Sequence, residues 1–436
     1  MTKSLRTIAH SLFQPSREIP NVTVTGVKLN SSQVEDGDLF IAIPGTKVDG
    51  HDFIGDAIDS GAIAIISNGR DVGELSVPQI KVANPRRAAS IVAAEYYGHP
   101  TKGLIVLGIT GTNGKTTTAS LLYSILNNAG HKTAQLGTLG TIADGFNQEA
   151  TLTTPDSISL QKIFSELRDA DFSHIVMEVS SHALDQYRVA DIEFDVALFT
   201  NLTPEHLDYH ASIEAYYQAK ARLFRMLPLE STAIVNESDP NGLRMAKETN
   251  APTLTFSRSN ENSIHFSDLN ISTSGIHGEI IAGHITYEIN SSLVGEFNEE
   301  NILGAVSVAH ALGIEKEMIE DGIKKCTAIP GRMESFPLAN GAKAIIDYAH
   351  TPDAYEKILG TLKEISLDDS YLYVVFGAGG DRDASKRPEM ARIAEIFATH
   401  CFVTPDNPRT EDPDQISKEI IGGFSGRNFT VFKDRR

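Results

Sequence analysis

Thr110-Gly-Thr-Asn-Gly-Lys-Thr-Thr117 combines small residues, a lysine and hydroxyls in an order suited to holding an anion. Its glycines let consecutive backbone N–H groups turn toward one ligand, and a helix starting there adds the positive end of its dipole. Lys115 could then reach the outer phosphates of a nucleotide, and the Thr116 hydroxyl could ligate magnesium. Gly111, Thr112, Asn113, Gly114 and Thr117 would complete the cradle. The spacing departs from the usual phosphate-loop pattern, because Ile109 stands where a further glycine is expected. A glycine turn entering a helix is the plain alternative. By itself the loop says nucleotide, and leaves kinases, GTPases and ligases open.

Lys220 offers a second chemistry. In a helical stretch from Ser212 to Leu227, the residues three and four positions away from it are Tyr216, Tyr217, Leu223 and Phe224. The lysine therefore sits on the aromatic and apolar face. Lysines at such borders commonly snorkel to water. The sharper reading is that burial lowers the pKa and frees the amine to capture carbon dioxide as a carbamate, an anionic oxygen ligand. Glu178 follows the apolar run Ile175-Val-Met177, where a carboxylate would face a nucleotide across the carboxyl edge of a sheet. Carboxylates, hydroxyls and phosphates are the ligands a hard cation such as magnesium takes. His206, taken alone, reads as a hydrogen-bonded loop histidine.

These groups need a scaffold. Leu104-Ile-Val-Leu-Gly-Ile109 is a buried parallel strand by type, and the helix Thr116 to Ala129 follows the loop. Later runs such as Ile175–Met177 and Val196–Phe199 alternate with helical stretches, as in a doubly wound sheet. Before them, Asp38–Ile43 and Gly61–Ile66 read as strands of a separate N-terminal unit. Thr253 to Leu293 reads as an antiparallel flank. After Pro330-Gly331 the alternation restarts, with strands at Ala344–Ile346, Tyr371–Phe376, Cys401–Val403 and Phe429–Phe432.

A chain of 436 residues is too long for one ordinary core, so two or three domains are expected. The formal charge of −19 argues against a nucleic-acid partner, which wants basic stripes. It leaves room for anionic small molecules. Cys326 and Cys401 lie far apart and read as reduced, buried thiols, which suits the cytoplasm. No signal peptide is evident, and no run approaches the roughly 18 apolar residues of a membrane helix.

Beyond the phosphate loop, five further motifs follow in order across nearly the whole chain. They are Met177-Glu-Val-Ser-Ser-His182, Thr200-Asn-Leu-Thr-Pro-Glu-His-Leu-Asp208, Gly295-Glu-Phe-Asn298 with Asn301, Gly331-Arg-Met-Glu334, and Asp347-Tyr-Ala-His-Thr-Pro352. Any one is weak; their joint order is specific, and together they resemble the Mur ligase family. The resemblance implies an α/β fold of three domains. These are a small N-terminal α/β uridine-binding domain (1–100), a central phosphate-loop doubly wound sheet (101–331) and a Rossmann-like C-terminal domain (332–436). It implies an ATP-dependent ligase acting through an acyl phosphate; no nucleic-acid or membrane partner is expected, and a monomer is.

The resemblance also assigns residues. Lys115, Lys220, Glu178 and His206 take the catalytic positions, and Thr116, Glu178, His206 and carbamylated Lys220 hold magnesium. Asn301, Arg332 and His350 contact ATP together with residues 111 to 117. Leu29, Ser31 and the turn Thr46-Lys47-Val48 match the start of a UDP-substrate site, although Asn30 and Ser32 depart from the family's usual Asp-Ser-Arg. Thr153, Thr154, Ser180, Gln186 and Arg188 match positions that hold the muramoyl-peptide, and Arg188 suits an anionic peptide.

Asp406-Asn-Pro-Arg409, including Pro408, resembles the motif of the members that add meso-diaminopimelate, and Arg382 matches another amino-acid contact. Diaminopimelate exceeds lysine by one carboxylate, which a guanidinium at Arg409 could pair in two parallel hydrogen bonds. A buried charge left unpaired by lysine would cost about 3–5 kcal/mol. A turn of Asp, Asn and Pro is the bland reading of the same residues. Other open readings are ligation of lysine, a folylpolyglutamate-synthase-like ligase, and a nucleotide-binding regulatory module without ligase activity. The family carries a further Gly-Lys-Gly-His-Glu stretch, and nothing like it follows Phe432. An incompletely closed, poorly active third domain is therefore expected.

Overall fold

The computed structural model describes residues 2–12, 19–45, 48–149, 151–272, 274–366 and 369–435. Near the N-terminus, strands β1 (Gly26–Lys28), β2 (Asp38–Ile41), β3 (Ala64–Ser67) and β4 (Gln79–Lys81) pair in parallel and in sequence order. Helix α1 (Pro85–Tyr97) packs on them. The Asn84 side chain accepts from the Arg86 and Arg87 N–H groups at its start, and Gly98, at φ 74°, ends it.

The central sheet is built from β5 (Ile105–Thr110), helix α2 (Lys115–Asn128), β6 (Thr133–Gly137), β7 (Gly140–Ile142), α3 (Ser157–Asp169), β8 (His174–Glu178), β9 (Val196–Phe199), α4 (Ile213–Arg225), β10 (Thr232–Asn236) and β11 (Thr253–Phe256). Its strand order is β11-β10-β9-β5-β8-β6-β7, parallel except for β7. Strands β8 and β9 are buried throughout, which is why their residues read as unbroken apolar runs. Alternate residues face two separate cores. Ile175, Met177, Ala197 and Phe199 pack with α3 and α4, while Val176, Leu198, Leu107 and Ile109 pack with α2 and two later helices.

An antiparallel sheet of β12 (His265–Ser272), β13 (Gly275–Ala282) and β14 (Ile285–Ser291) follows. The expected antiparallel flank is thus narrower than Thr253 to Leu293. Residues Thr253–Phe256 instead close the parallel sheet, because a short helix at Gly242–Ala246 returns the chain in the parallel sense. Helices α5 (Phe297–Ala311) and α6 (Lys316–Lys325) then pack on α2. Gly322 lies so close that a Cβ there would meet Ile125 Cα at 2.5 Å.

The last unit contains β15 (Glu334–Pro337), β16 (Lys343–Ile346), α7 (Pro352–Ile365), β17 (Tyr373–Phe376), α8 (Lys386–Phe397), β18 (His400–Val403), α9 (Pro413–Ile421) and β19 (Phe429–Val431). Strands β17, β18 and β19 pair in parallel. Ala344–Ile346, expected in that sheet, belongs instead to an antiparallel hairpin with β15. Asn340-Gly341, with Gly341 at φ 82°, supplies the turn, a signal present in the sequence.

The N-terminal and central units are joined by packing. Ile158 of α3 belongs to the N-terminal core, and Arg87 of α1 forms a bidentate pair with Asp191.

Candidate nucleotide and amino-acid site

The loop between β5 and α2 lies at the carboxyl edge of the central sheet, flanked by the ends of β8 and β9. Gly114 has φ 87°, and a Cβ on it would meet Asn301 Oδ1 at 2.2 Å, so only glycine fits. The loop is fastened from the β9 side. Asn113 N donates to Asn201 Oδ1 at 2.8 Å, Thr112 N to Asn201 O at 2.9 Å, and Thr200 Oγ1 to Asn113 O at 2.7 Å. Asn301 Nδ2 donates to Asn298 Oδ1 at 2.9 Å, which holds Asn301 against the loop. Thr117 is buried, and the Ile109 that replaces the expected glycine is a core residue of β5.

Two lysines converge on one carbonyl. Lys115 Nζ donates to Gly111 O and Thr112 O, each at 2.8 Å, and Lys220 Nζ donates to Gly111 O at 2.7 Å. Lys220 is 1% exposed and its amine lies 4.4 Å from the centre of the Tyr216 ring, so it does not snorkel. Burial, then the neighbouring Lys115 charge, push the Lys220 amine well below its ordinary range. Burial lowers the Lys115 amine as well.

Glu178, also 1% exposed, ends β8. Its Oε1 accepts from Thr116 Oγ1 at 3.0 Å and from Thr138 N at 2.8 Å. Arg332 Nη2 donates to the same Thr116 hydroxyl at 3.0 Å. His206, at φ 55°, has its ring 4.8 Å from His182 and 6.1 Å from Tyr216, between centres. Burial lowers its pKa. Among the described residues no three of the His, Cys, Asp and Glu side chains gather as a metal cluster.

The geometry adds residues the motifs contained but did not single out. Glu205 Oε1 lies 3.4 Å from His350 Nε2 and 3.8 Å from His206 Nε2, so it links the central sheet to the last unit. Burial would raise this carboxyl, but His350, His206 and Lys115 hold it at about 2. Burial, then His206 and His210, push His182 down to about 4. His350 thus stands beside Glu205, while Asn113 Nδ2 reaches Asp353 Oδ2 at 3.1 Å across the same gap.

A second cluster lies on the α3 side of Glu178. Thr154 Oγ1 donates to Glu178 O at 2.9 Å and accepts from Ser180 N at 3.0 Å. Arg188 Nη1 donates to Thr154 O at 2.8 Å, and its Nε and Nη2 donate to Gln186 Oε1 at 3.1 and 2.7 Å. Thr153 Oγ1 is 3.3 Å from Thr138 Oγ1. The N-terminal unit reaches toward this cluster through Arg86, whose Nη2 donates to Pro44 O at 2.8 Å and whose charge acts on Arg188. Ser31 begins a short turn, Leu29 packs at the edge of the N-terminal core, and Val48 is exposed. Thr46 and Lys47 lie outside the described residues.

In the last unit, two loops leave adjacent parallel strands at their carboxyl ends. Gly379–Asp383 follows β17, and Asp406–Arg409, with Pro408, follows β18. Gly380 N donates to Asn407 O at 2.9 Å, and Arg409 Nη1 donates to Gly380 O. Arg382, Asp406, Asn407 and Arg409 are exposed. A buried unpaired charge at Arg409 is therefore not what this conformation presents.

A glycine-rich loop at the carboxyl edge of a doubly wound sheet, followed by a unit with a second parallel sheet, is the arrangement of nucleotide-binding α/β enzymes. Family profiles match three consecutive stretches: the Mur ligase family catalytic domain over residues 23–97, the Mur ligase middle domain over 109–309, and the Mur ligase glutamate ligase domain over 331–436. The UDP-N-acetylmuramoyl-L-alanyl-D-glutamate--2,6-diaminopimelate ligase of Geobacter metallireducens is 42% identical over 407 residues, covering 92% of this chain and 79% of its own length. That of Bacillus cereus is 37% identical, over 98% of this chain and 88% of its own. A solved structure of a ligase with the same name superposes with a TM-score of 0.73 at 31% identity, covering 100% of this chain and 89% of that one. A folylpolyglutamate synthase from Mycobacterium tuberculosis shares the fold at 19% identity, with a TM-score of 0.64 over 80% of this chain and 85% of that one. The chain belongs to the Mur ligase family. It is an ATP-dependent, amide-bond-forming ligase with that family's three-domain α/β architecture.

Proposed function

We propose that this ligase joins meso-2,6-diaminopimelate to UDP-N-acetylmuramoyl-L-alanyl-D-glutamate in peptidoglycan synthesis. The observation that carries the reading is the 42% identity to a ligase of that name, over 92% of the chain. The paired loops at Gly379–Asp383 and Asp406–Arg409 support it, since they bring Arg382 and Arg409 to one sheet edge. In this reading residues 1–100 hold the uridine end, 101–331 hold ATP, and 332–436 hold the incoming amino acid.

The substrate carboxylate attacks the γ-phosphate of ATP, ADP leaves, and an acyl phosphate forms. The amine of the amino acid then attacks the acyl carbon and phosphate departs. The protein's contribution is alignment and charge neutralisation. Lys115 exchanges its two carbonyl partners for phosphate oxygens, and the N–H groups of residues 111 to 117 close around them. Asn301, Arg332 and His350 hold the rest of the nucleotide, and Arg332 gives up Thr116 to do so. Leu29, Ser31 and the turn at residues 46–48 hold the uridine end, while Thr153, Thr154, Ser180, Gln186 and Arg188 hold the peptide. Arg382 and residues 406–409 orient the amino acid.

Magnesium fits the donors present, because Thr116 and Glu178 offer oxygens 3.0 Å apart, and His206 would supply a further ligand. Bound there it would draw charge from the phosphate oxygens. The buried Lys220 amine, lowered by desolvation, suits carbamate formation: its nitrogen bonds to the carbon of carbon dioxide, a proton leaves, and an anionic oxygen donor results. The enzyme acts as a monomer in the cytoplasm, a compartment that suits its two buried free thiols.

The deciding measurement is ADP release. It should require both the UDP-muramoyl-dipeptide and the free amino acid. Release sustained by the nucleotide alone, or by a folate substrate, would remove the proposal.

A further inference from the structure

Arg387, near the start of α8, is 1% exposed, the rarest state for an arginine. Its Nη1 donates to Glu411 Oε2 at 2.9 Å and to Glu419 Oε2 at 2.6 Å. Its Nη2 donates to Glu411 Oε1 at 3.0 Å and to Gly379 O at 3.1 Å. The guanidinium thus forks onto Glu411, just past Arg409, while holding the carbonyl that opens the loop of Arg382. Other bonds cross the same seam. Asp381 N donates to Glu411 Oε1, and Thr410 Oγ1 donates to Asp381 Oδ1 at 2.6 Å. The loops approach so closely that a Cβ on Gly380 would lie 1.9 Å from Pro408 O.

Burying an ion pair gains little stability over apolar packing, because desolvation offsets the attraction. What a bidentate fork does supply is a fixed distance and angle between the two segments it joins. Here the fork joins the start of α8 to Glu411, just past the Asp406–Arg409 loop, and the same guanidinium holds the Gly379–Asp383 loop through Gly379 O. A shift of about 1 Å in either loop would move Arg382 relative to Arg409 by enough to spoil simultaneous contact with both ends of one ligand.

We propose that Arg387 and Glu411 are positioning residues that lock the Gly379–Asp383 loop to the Asp406–Arg409 loop and thereby set selectivity for an amino acid with a carboxylate at its far end. This rests on the amino-acid reading of the two loops. Glu411→Gln keeps the shape and removes the charge at a partly exposed position, so it tests the lock without emptying the core. Arg387→Lys keeps the charge and removes the fork.

In the whole chain, both variants should raise hydrogen exchange at the Gly380 and Asp381 amides at least tenfold. The preference in kcat/KM for diaminopimelate over L-lysine should fall at least tenfold, through KM for diaminopimelate, with KM for ATP within twofold of wild type. Unchanged exchange, or an unchanged preference in both variants, overturns the inference. A wild-type chain that ligates neither amino acid would instead sink the ligation reading, and the exchange rates would still decide whether the loops are locked.

Discussion

Burying the Lys220 amine strips its hydration, and one carbonyl, Gly111 O at 2.7 Å, stands in for the lost water. A charged ammonium so placed beside Lys115 is costly, so burial and that neighbouring charge push the amine well below its ordinary range. Lys220→Ala should therefore lose most ligase activity, and short carboxylic acids added to the assay should restore part of it by supplying the missing anion. Near-wild-type turnover in the alanine variant would end the carbamate role. Arg409 is the other decisive side chain. Because it is exposed, pairing there is worth a charge-assisted hydrogen bond of about 1.5–3 kcal/mol, less than the cost of orphaning a buried charge. Arg409→Ala should lower the preference for diaminopimelate over lysine by roughly tenfold to a hundredfold, read from kcat/KM with each amino acid. An unchanged ratio would place the selectivity elsewhere.

Among the elements, α2 matters most, since it begins at the Gly111–Gly114 loop and is held from behind by α6. Ser124 Oγ donates to Gly322 O at 2.6 Å, and the two helices touch where Gly322 leaves no space for a side chain. Gly322→Ala should push α6 off α2 and cost about 1–3 kcal/mol, the usual range for overpacking a tight contact. Urea denaturation would show this as a lower midpoint with an unchanged slope. A midpoint equal to wild type would mean the helices separate at no cost.

Across the whole molecule, protonation links the central sheet to pH. Burial, then His131, push His174 at the start of β8 down to about 4, and His182 is held at about 4 by burial and its histidine neighbours. The ordinary value is 6.5, so between about 6.5 and 4 the unfolded chain binds these protons and the folded chain does not. Stability should be complete above about pH 6.5 and fall as the pH drops toward 4. Melting temperatures across that window would show the decline, and His174→Gln should reduce it. A flat profile from pH 7 to 4.5 would contradict the buried neutral histidines.

Much of this was legible in the residues themselves. The apolar runs at β5, β8 and β9 are unbroken because both faces of a parallel strand are covered, and Gly-Thr-Asn-Gly-Lys is readable as the turn from β5 into α2 because Gly114 admits the positive φ needed there. The periodicity around Lys220 placed it on an apolar face, and its 1% exposure agrees. Only the tertiary structure decided which distant segments meet. It set Glu205 between His206 and His350, put Arg332 on the Thr116 hydroxyl, and turned Ala344–Ile346 into a hairpin partner. Arg387 sits beside Lys386 in the sequence, and no local pattern marks a guanidinium that will be buried. Its partners Gly379, Glu411 and Glu419 come from both sides of it along the chain, and contacts formed by packing leave no periodicity to read.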